Sequence, residues 1–354
     1  MRKIPPEKMA FYAGAVVAVL VFSIVLRFFP RLRKPPIWIH PLYLVAVGLT
    51  VVFLPDWIQD EVFSPGGVVL VGTFLPVYNS IVAVCSVDAA DDETWLQFWM
   101  LWGTLSFLTE FMDDITSRLP QAGEHWFEFE FFTVLWLMLP FTNGAGVMYE
   151  WVTKPYITPL AKRVSVQMEG WVQALLTMVN TSYIWFVWYM FVRLPEEQRR
   201  FIVVGLGTAY PMVASIVAIS KKDEVDEATG SEHGVSKSSF LVTNWLTYWA
   251  CYMLLFVAMD WLENFVGHIL GFYSLCGFAT LYLALPMFNG AEVVFRRVLV
   301  PLSGQYEQLM IRDAWLVRQN ILDSIPQKNR ANVLTRAAAM FLQQTDGGES
   351  KKKT

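Results

Sequence analysis

The sequence predicts an all-α, polytopic membrane protein: two tandem four-helix repeats, each a double hairpin, with an N-terminal helix before them and a C-terminal amphipathic helix after. Composition is the first reason, because 354 residues that are 55% hydrophobic, with 15 Trp, 26 Phe and only 16% charged side chains, cannot cover a soluble surface. The second is run length, since apolar stretches recur near the ~20 residues that cross hydrocarbon. The third is internal repetition. Gly72-Thr73-Phe74-Leu75-Pro76-Val77-Tyr78-Asn79-Ser80 returns as Gly207-Thr208-Ala209-Tyr210-Pro211-Met212-Val213-Ala214-Ser215, and Leu139-Pro140-Phe141-Thr142-Asn143-Gly144-Ala145 returns as Leu285-Pro286-Met287-Phe288-Asn289-Gly290-Ala291. Pro155 and Pro301 follow the second pair at equal distances.

Residues 1-36 hold the first run, Met9 to Leu26, and a basic loop. Arg2, Lys3 and Lys8 before it suit a secretory signal, but it ends Arg27-Phe28-Phe29-Pro30-Arg31, without small residues for cleavage, and reads as a retained anchor. The first repeat, 37-165, carries Ile37 to Leu54, Val68 to Cys85, Trp95 to Ile115 and Trp126 to Met148. The second, 166-303, carries Trp171 to Val192, Phe201 to Ile219, Phe240 to Leu262 and Ile269 to Phe288. Each half is two short-looped hairpins joined by a polar linker: Ser86 to Thr94 in one and the longer Lys221 to Ser239, which reads as disordered, in the other.

A proline inside a helix loses one backbone bond and crowds the carbonyl four residues earlier. For Pro76 and Pro211 those positions are Gly72 and Gly207, so a kink with room for a close neighbour is expected, as small residues provide at membrane helix interfaces. Ser80 and Ser215, one turn on, are placed to bond a backbone carbonyl of their own helix. The plain reading is a kink and packing face, not a substrate site. Glu110 and Asp113 match Asp260 and Glu263 in spacing; of these, Glu110 and Asp260 are the ones expected to be buried. Carboxylates in hydrocarbon cost roughly 2.5 to 3.5 kcal/mol, which makes an ion-coupling role the sharper reading and interhelical hydrogen bonding or an interfacial position the plainer one.

Lys and Arg in short loops set orientation. Arg31, Arg33, Lys34, Lys154, Lys162, Arg163, Lys221, Lys222, Arg296 and Arg297 fall on one side if every run spans, which puts the C-terminus in the cytosol and the N-terminus in the lumen. Arg193, Arg199 and Arg200 dissent. No enzyme signature is present: the 4 His are isolated, the 3 Cys lack metal or disulfide spacing, and Gly205-Leu206-Gly207 lacks the third glycine of a nucleotide fingerprint. No cofactor, metal or nucleic-acid partner is expected.

Trp95-Leu96-Gln97-Phe98-Trp99 and Trp245-Leu246-Thr247-Tyr248-Trp249, each followed by an acidic residue (Glu110, Asp260), then by Leu-Pro and Asn-Gly-Ala (Pro140, Gly144, Ala145; Pro286, Gly290, Ala291), then by Pro155 or Pro301, resemble the receptor expression-enhancing protein family. That family includes the deleted-in-polyposis and plant abscisic-acid-induced proteins. Tyr210-Pro211 with Ser215 resembles its second-helix motif. The resemblance implies a non-enzymatic protein of the endoplasmic reticulum membrane whose hairpins and cytosolic amphipathic helix bend membrane into tubules, and which associates with itself or with related proteins. The chain departs from the family by its doubled unit, its extra anchor and Leu75 before Pro76; the tandem would make within one chain the dimer that relatives make from two.

In the tail, 304-354, Tyr306, Met310, Val317, Ile321 and Ile325 recur at helical spacing, with Pro326 closing the helix. A second helix is expected from Arg330 to Gln344, with Val333, Leu334 and Phe341 on one side and Arg330 and Arg336 placed for lipid headgroups. Lys351-Lys352-Lys353-Thr354 resembles a dilysine retrieval address, with Lys351 and Lys352 as the signal. The expected function is shaping or stabilising tubular membrane, with the bilayer as partner and a role in membrane-protein trafficking compatible with it. The alternative is a transporter or channel of two parallel four-helix repeats.

Overall fold

A computed structural model of the protein describes residues 39–53, 55, 60, 62–87, 89–116, 126–180, 183–229, 237–267, 269, 271–285 and 287–324. The anchor run, Pro286, the Arg330 to Gln344 helix and the lysine-rich end lie outside these residues. Among those described, the regular structure is helical, with no strand.

In the first half, α1 is Ile39–Phe53 and α2 is Pro65–Cys85. Ser64 starts α2: its Oγ accepts the Gly67 N–H at 3.1 Å, and Pro65 occupies a first-turn position where a missing donor costs nothing. Within α2 the turn Leu70–Phe74 is a π-helix, so the backbone takes up the disturbance of Pro76 in the turn before it rather than at the proline. Helix α3, Ala89–Thr116, opens with Asp91 and Asp92 in its first turn, where the helix dipole favours carboxylates. Helix α4 is Trp126–Met138 and α5 is Gly144–Met148. A π-helical stretch, Tyr149–Ile157, encloses Pro155 and leads into α6, Thr158–Asn180.

The second half runs α7 Ile184–Arg193, α8 Glu196–Thr229 with Pro211 inside it, α9 Lys237–Val266 and α10 Phe272–Ala284. Then come α11 Gly290–Val294, a π-turn Phe295–Leu299, α12 Val300–Ser303 with Pro301 in its first turn and α13 Tyr306–Ser324.

Helices α2, α3, α8 and α9 form the centre. Within the halves α2 packs on α3 and α8 on α9; between them α2 packs on α9, and α3 on both α8 and α9. Exchanging α2 with α8 and α3 with α9 leaves that pattern unchanged, as in an isologous pair. The periphery follows the same exchange: α4 lies on α2 and α10 on α8, α5 on α3 and α11 on α9. The helix after each half crosses over, α6 onto α8 and α13 onto α2. One apolar cluster runs through both halves, from Val77 and Trp99 to Ile216 and Trp249.

Several expectations change. Among the described residues three helices are long and apolar enough to cross a membrane, Pro65–Cys85, Glu196–Val225 and Phe240–Val266. Trp126 to Met148 and Ile269 to Phe288 are not continuous spans: α4 and α10 have 13 residues each, about 20 Å at 1.5 Å per residue, because Asn143 (φ 42°) and Asn289 (φ 48°) reverse the chain in the left-handed region. Trp171 to Val192 is shared between α6 and α7. The linker Lys221 to Ser239 is largely helical, with α8 reaching Thr229 and α9 starting at Lys237; ion pairs described below hold its first turn.

Candidate functional site

The residues singled out by repetition converge on the centre. Trp99 and Trp249 are fully buried, and a buried indole N–H needs an acceptor. The repeated serines supply it: Trp99 Nε1 donates to Ser80 Oγ at 2.7 Å and Trp249 Nε1 to Ser215 Oγ at 3.0 Å. Ser215 also donates to the Pro211 carbonyl at 2.7 Å, the bond expected within its helix, while Ser80 meets the indole of the next helix. These bonds tie α2 to α3 and α8 to α9.

The glycines facing the repeated prolines lie against aromatic rings. A Cβ on Gly72 would stand 2.7 Å from Trp102 Cζ2, and one on Gly207 2.1 Å from Tyr252 Cε2. Tyr248 Oη donates to the Gly207 carbonyl at 2.6 Å. At the two chain reversals Gly144 and Gly290 are equally confined, their Cβ positions 2.5 Å and 2.2 Å from the carbonyls of Trp136 and Tyr282. Ala145 and Ala291 are buried, whereas Pro140, Pro155 and Pro301 are exposed. Trp95 meets Phe98 and Trp245 meets Tyr210, both with ring centroids 5.7 Å apart.

One contact between halves had no repeat to advertise it. Gly103 of α3 receives the Trp249 ring, with Cζ3 2.5 Å from where a Cβ would be. The polar joint at one end of the bundle was also not foreseen. Arg312 of α13 donates to the Val84 carbonyl of α2 and, at 3.3 Å, to Thr243 Oγ1 of α9. Thr243 in turn donates to Asp92 Oδ2 of α3 at 2.5 Å. Asp92 lies ahead of the apolar stretch of α3; burial pushes its carboxyl up to about 6, against the pull of Thr243 and Arg312. Nearby, Lys222 pairs with Glu93, Lys154 with Asp223 at 3.3 Å and Lys162 with Glu224 at 2.5 Å. Each links one half to the other. A signal for Arg312 existed, a cation beside the apolar stripe of the tail helix, but nothing in the sequence located its partners.

At the other end Arg200 binds Asp260 at 3.1 Å and Glu263 at 2.5 Å, and Arg199 lies over Tyr273, 5.3 Å from the ring centre. Arg193 lies over Tyr189, 5.2 Å from the ring centre, so the three dissenting cations of the loop each have a local partner. Asp260 is not buried as expected: its side chain is 59% exposed, because it sits near the end of α9 beside Arg200. The side chain of Glu110 lies outside the description. On α13 the apolar stripe Tyr306, Met310 and Val317 points outward, while Leu309 is buried against the bundle. No group of His, Cys, Asp or Glu among the described residues is arranged to hold a metal.

Such an arrangement, long helices of which three are apolar enough to cross a membrane, flanked by shorter ones in each half, defines a helical membrane protein. Both halves match the TB2/DP1, HVA22 family, over residues 76–156 and 211–302, the family that the tryptophan, proline and Asn-Gly-Ala motifs resemble, and these matches support a membrane protein of that family. Over 95 residues it is 32% identical to Protein YOP1 of Mycosarcoma maydis, covering 27% of this chain and 53% of that protein. It is 36% identical over 92 residues to Receptor expression-enhancing protein 6 of Danio rerio, 25% of this chain and 40% of that protein. Against HVA22-like protein d of Arabidopsis thaliana it is 29% identical over 98 residues, 28% and 70% of the two. The chain spans about half the length of the first curated relatives it matches. No solved structure matches it.

Proposed function

We propose that the protein is a non-enzymatic shaper of tubular endoplasmic reticulum membrane, built as two four-helix units in one chain, 37-165 and 166-303. The observation that carries this is the doubled, unequal packing. Each half sets a long helix pair beside a 13-residue helix that covers about 20 Å of a hydrocarbon layer about 30 Å thick. A bundle whose short members reach into one leaflet more than the other occupies unequal area in the two, which favours curvature. The interlocking of α2 and α3 with α8 and α9 supports a second element of the reading, that the tandem holds internally the contact other members make between chains.

The end carrying Lys154, Lys162, Lys222, Arg296 and Arg312 faces the cytosol in this reading, as the Lys and Arg bias favours, and α13 lies at that surface with Tyr306, Met310 and Val317 toward lipid. The transporter alternative rested on Glu110 and Asp260, and the Arg200 pairing of Asp260 favours an interfacial role for that residue. Untagged full-length protein, expressed in cells and located with an antibody to the chain, should concentrate in reticulum tubules and sheet edges and raise the tubule fraction with dose. Even distribution over flat sheets, with unchanged tubule fraction, would exclude the proposal.

A further inference from the structure

Helices α6 and α8 run antiparallel, their register fixed by the Lys162–Glu224 pair. Beside that pair a cleft of about 170 Å³ opens between α6, α8 and α9. Its floor is apolar, formed by Val213, Ala214 and Val217, and Tyr210 against Trp245 closes one wall. Two exposed, oppositely charged side chains stand at the mouth, Lys221 from α8 and Glu169 from α6. The register orders them in depth: Lys221 lies about one helical turn below the Lys162–Glu224 level and Glu169 about two turns below. Of the two charges that line the cleft the positive one is therefore the outer, below a Glu224 carboxylate that Lys162 already pairs, the negative one is a turn deeper, and the apolar floor continues inward.

We propose that this cleft binds a single-chain amphiphile with a phosphate at its tip and an ammonium on the chain side of that phosphate, the chemistry of a phosphorylated sphingoid base. The phosphate meets Lys221, the ammonium meets Glu169 at the carboxylate level, and the chain lies along Val213, Ala214 and Val217. Phosphoethanolamine lipids carry the charges in the reverse order, with the ammonium outside the phosphate. The cleft has room for the upper part of one chain and not for two. Both charges are exposed, so each is worth a few-fold in affinity and not orders of magnitude. The site requires only that the chain be embedded in lipid; it is independent of whether the chain bends it.

Full-length protein in detergent is titrated separately with sphingosine-1-phosphate, sphingosine, lysophosphatidic acid and lysophosphatidylethanolamine, and retained ligand is read by native mass spectrometry. Sphingosine-1-phosphate should be retained about threefold to fivefold better than each of the other three. Lys221→Gln should erase its advantage over sphingosine, and Glu169→Gln its advantage over lysophosphatidic acid, both without altering helicity or elution, since the residues are exposed. Ala214→Leu, which narrows the floor, should lower retention of all four. Equal retention of the four by the unaltered protein, or a preference that neither charge variant moves, would overturn the proposal. So would lysophosphatidylethanolamine binding as tightly as sphingosine-1-phosphate. Tubule formation by the same preparations is scored separately, so loss of one property is distinguishable from loss of the other.

Discussion

The buried indoles show how a single side chain sets a helix pair in a lipid environment, where association cannot rest on expelling water from apolar surface. Replacing Trp99 or Trp249 by Phe keeps a ring and removes the donor to Ser80 or Ser215; each variant should lose on the order of 1 kcal/mol in denaturation from detergent micelles, and equal losses would match the repeat. The glycines of α8 give a sharper contrast. Gly207→Ala puts a methyl 2.1 Å from Tyr252 and should cost about 1 to 3 kcal/mol. Gly205→Ala meets Phe107 at an ordinary 3.7 Å and should be neutral or gain up to about 1 kcal/mol from helix propensity. Similar melting curves for the two variants would refute the close-approach reading.

Asp92 makes the molecule pH-dependent. Its carboxyl rises to about 6 when folded from about 4 in an unfolded chain, so the folded state favours the neutral acid. The stabilisation is complete below about 4 and is lost as pH rises through about 6. Thermal stability should therefore fall between pH 4.5 and pH 7, on the order of 2 kcal/mol from this group. Asp92→Asn, which carries no titrating proton, should flatten that slope and be no less stable at pH 7. An unchanged slope in the variant would assign the pH dependence elsewhere.

At the scale of elements, legibility followed duplication. The prolines, glycines, serines and tryptophans were readable because each occurs twice, and a feature preserved in both halves stands out even when its partner is unknown. The elements themselves were less readable than their motifs. Hydropathy counted Trp126 to Met148 as one span because it cannot see Asn143 adopting φ 42° and folding Gly144 against the Trp136 carbonyl. It also missed that prolines are absorbed by π-turns at Leu70–Phe74 and Phe295–Leu299, since such turns depend on packing and not on composition. Joints between halves, such as Gly103 with Trp249 or Arg312 with Val84, join unlike residues far apart in sequence and leave no local pattern. Arg312 is the joint that seats α13 on α2. Arg312→Ala should raise amide exchange along Tyr306–Ser324 while leaving α2 and α9 protected; unchanged exchange in α13 would mean that Leu309 and the Arg296–Asp313 ion pair hold the helix without it.

For the whole molecule, the symmetric exchange of α2 with α8 and α3 with α9 supports the proposal that one chain presents two related units in fixed orientation, with no second copy needed to set the angle between them. A pair fixed covalently forms at any concentration, so shaping should depend on the number of chains per lipid and lack the steep onset that dimerisation adds. The most direct measurement is cryo-electron microscopy of liposomes reconstituted with the purified chain over a series of protein-to-lipid ratios. The account predicts tubules and small, highly curved vesicles whose fraction rises in proportion to protein from the lowest ratios. Large spherical vesicles of unchanged size at every ratio, with the protein inserted, would contradict it.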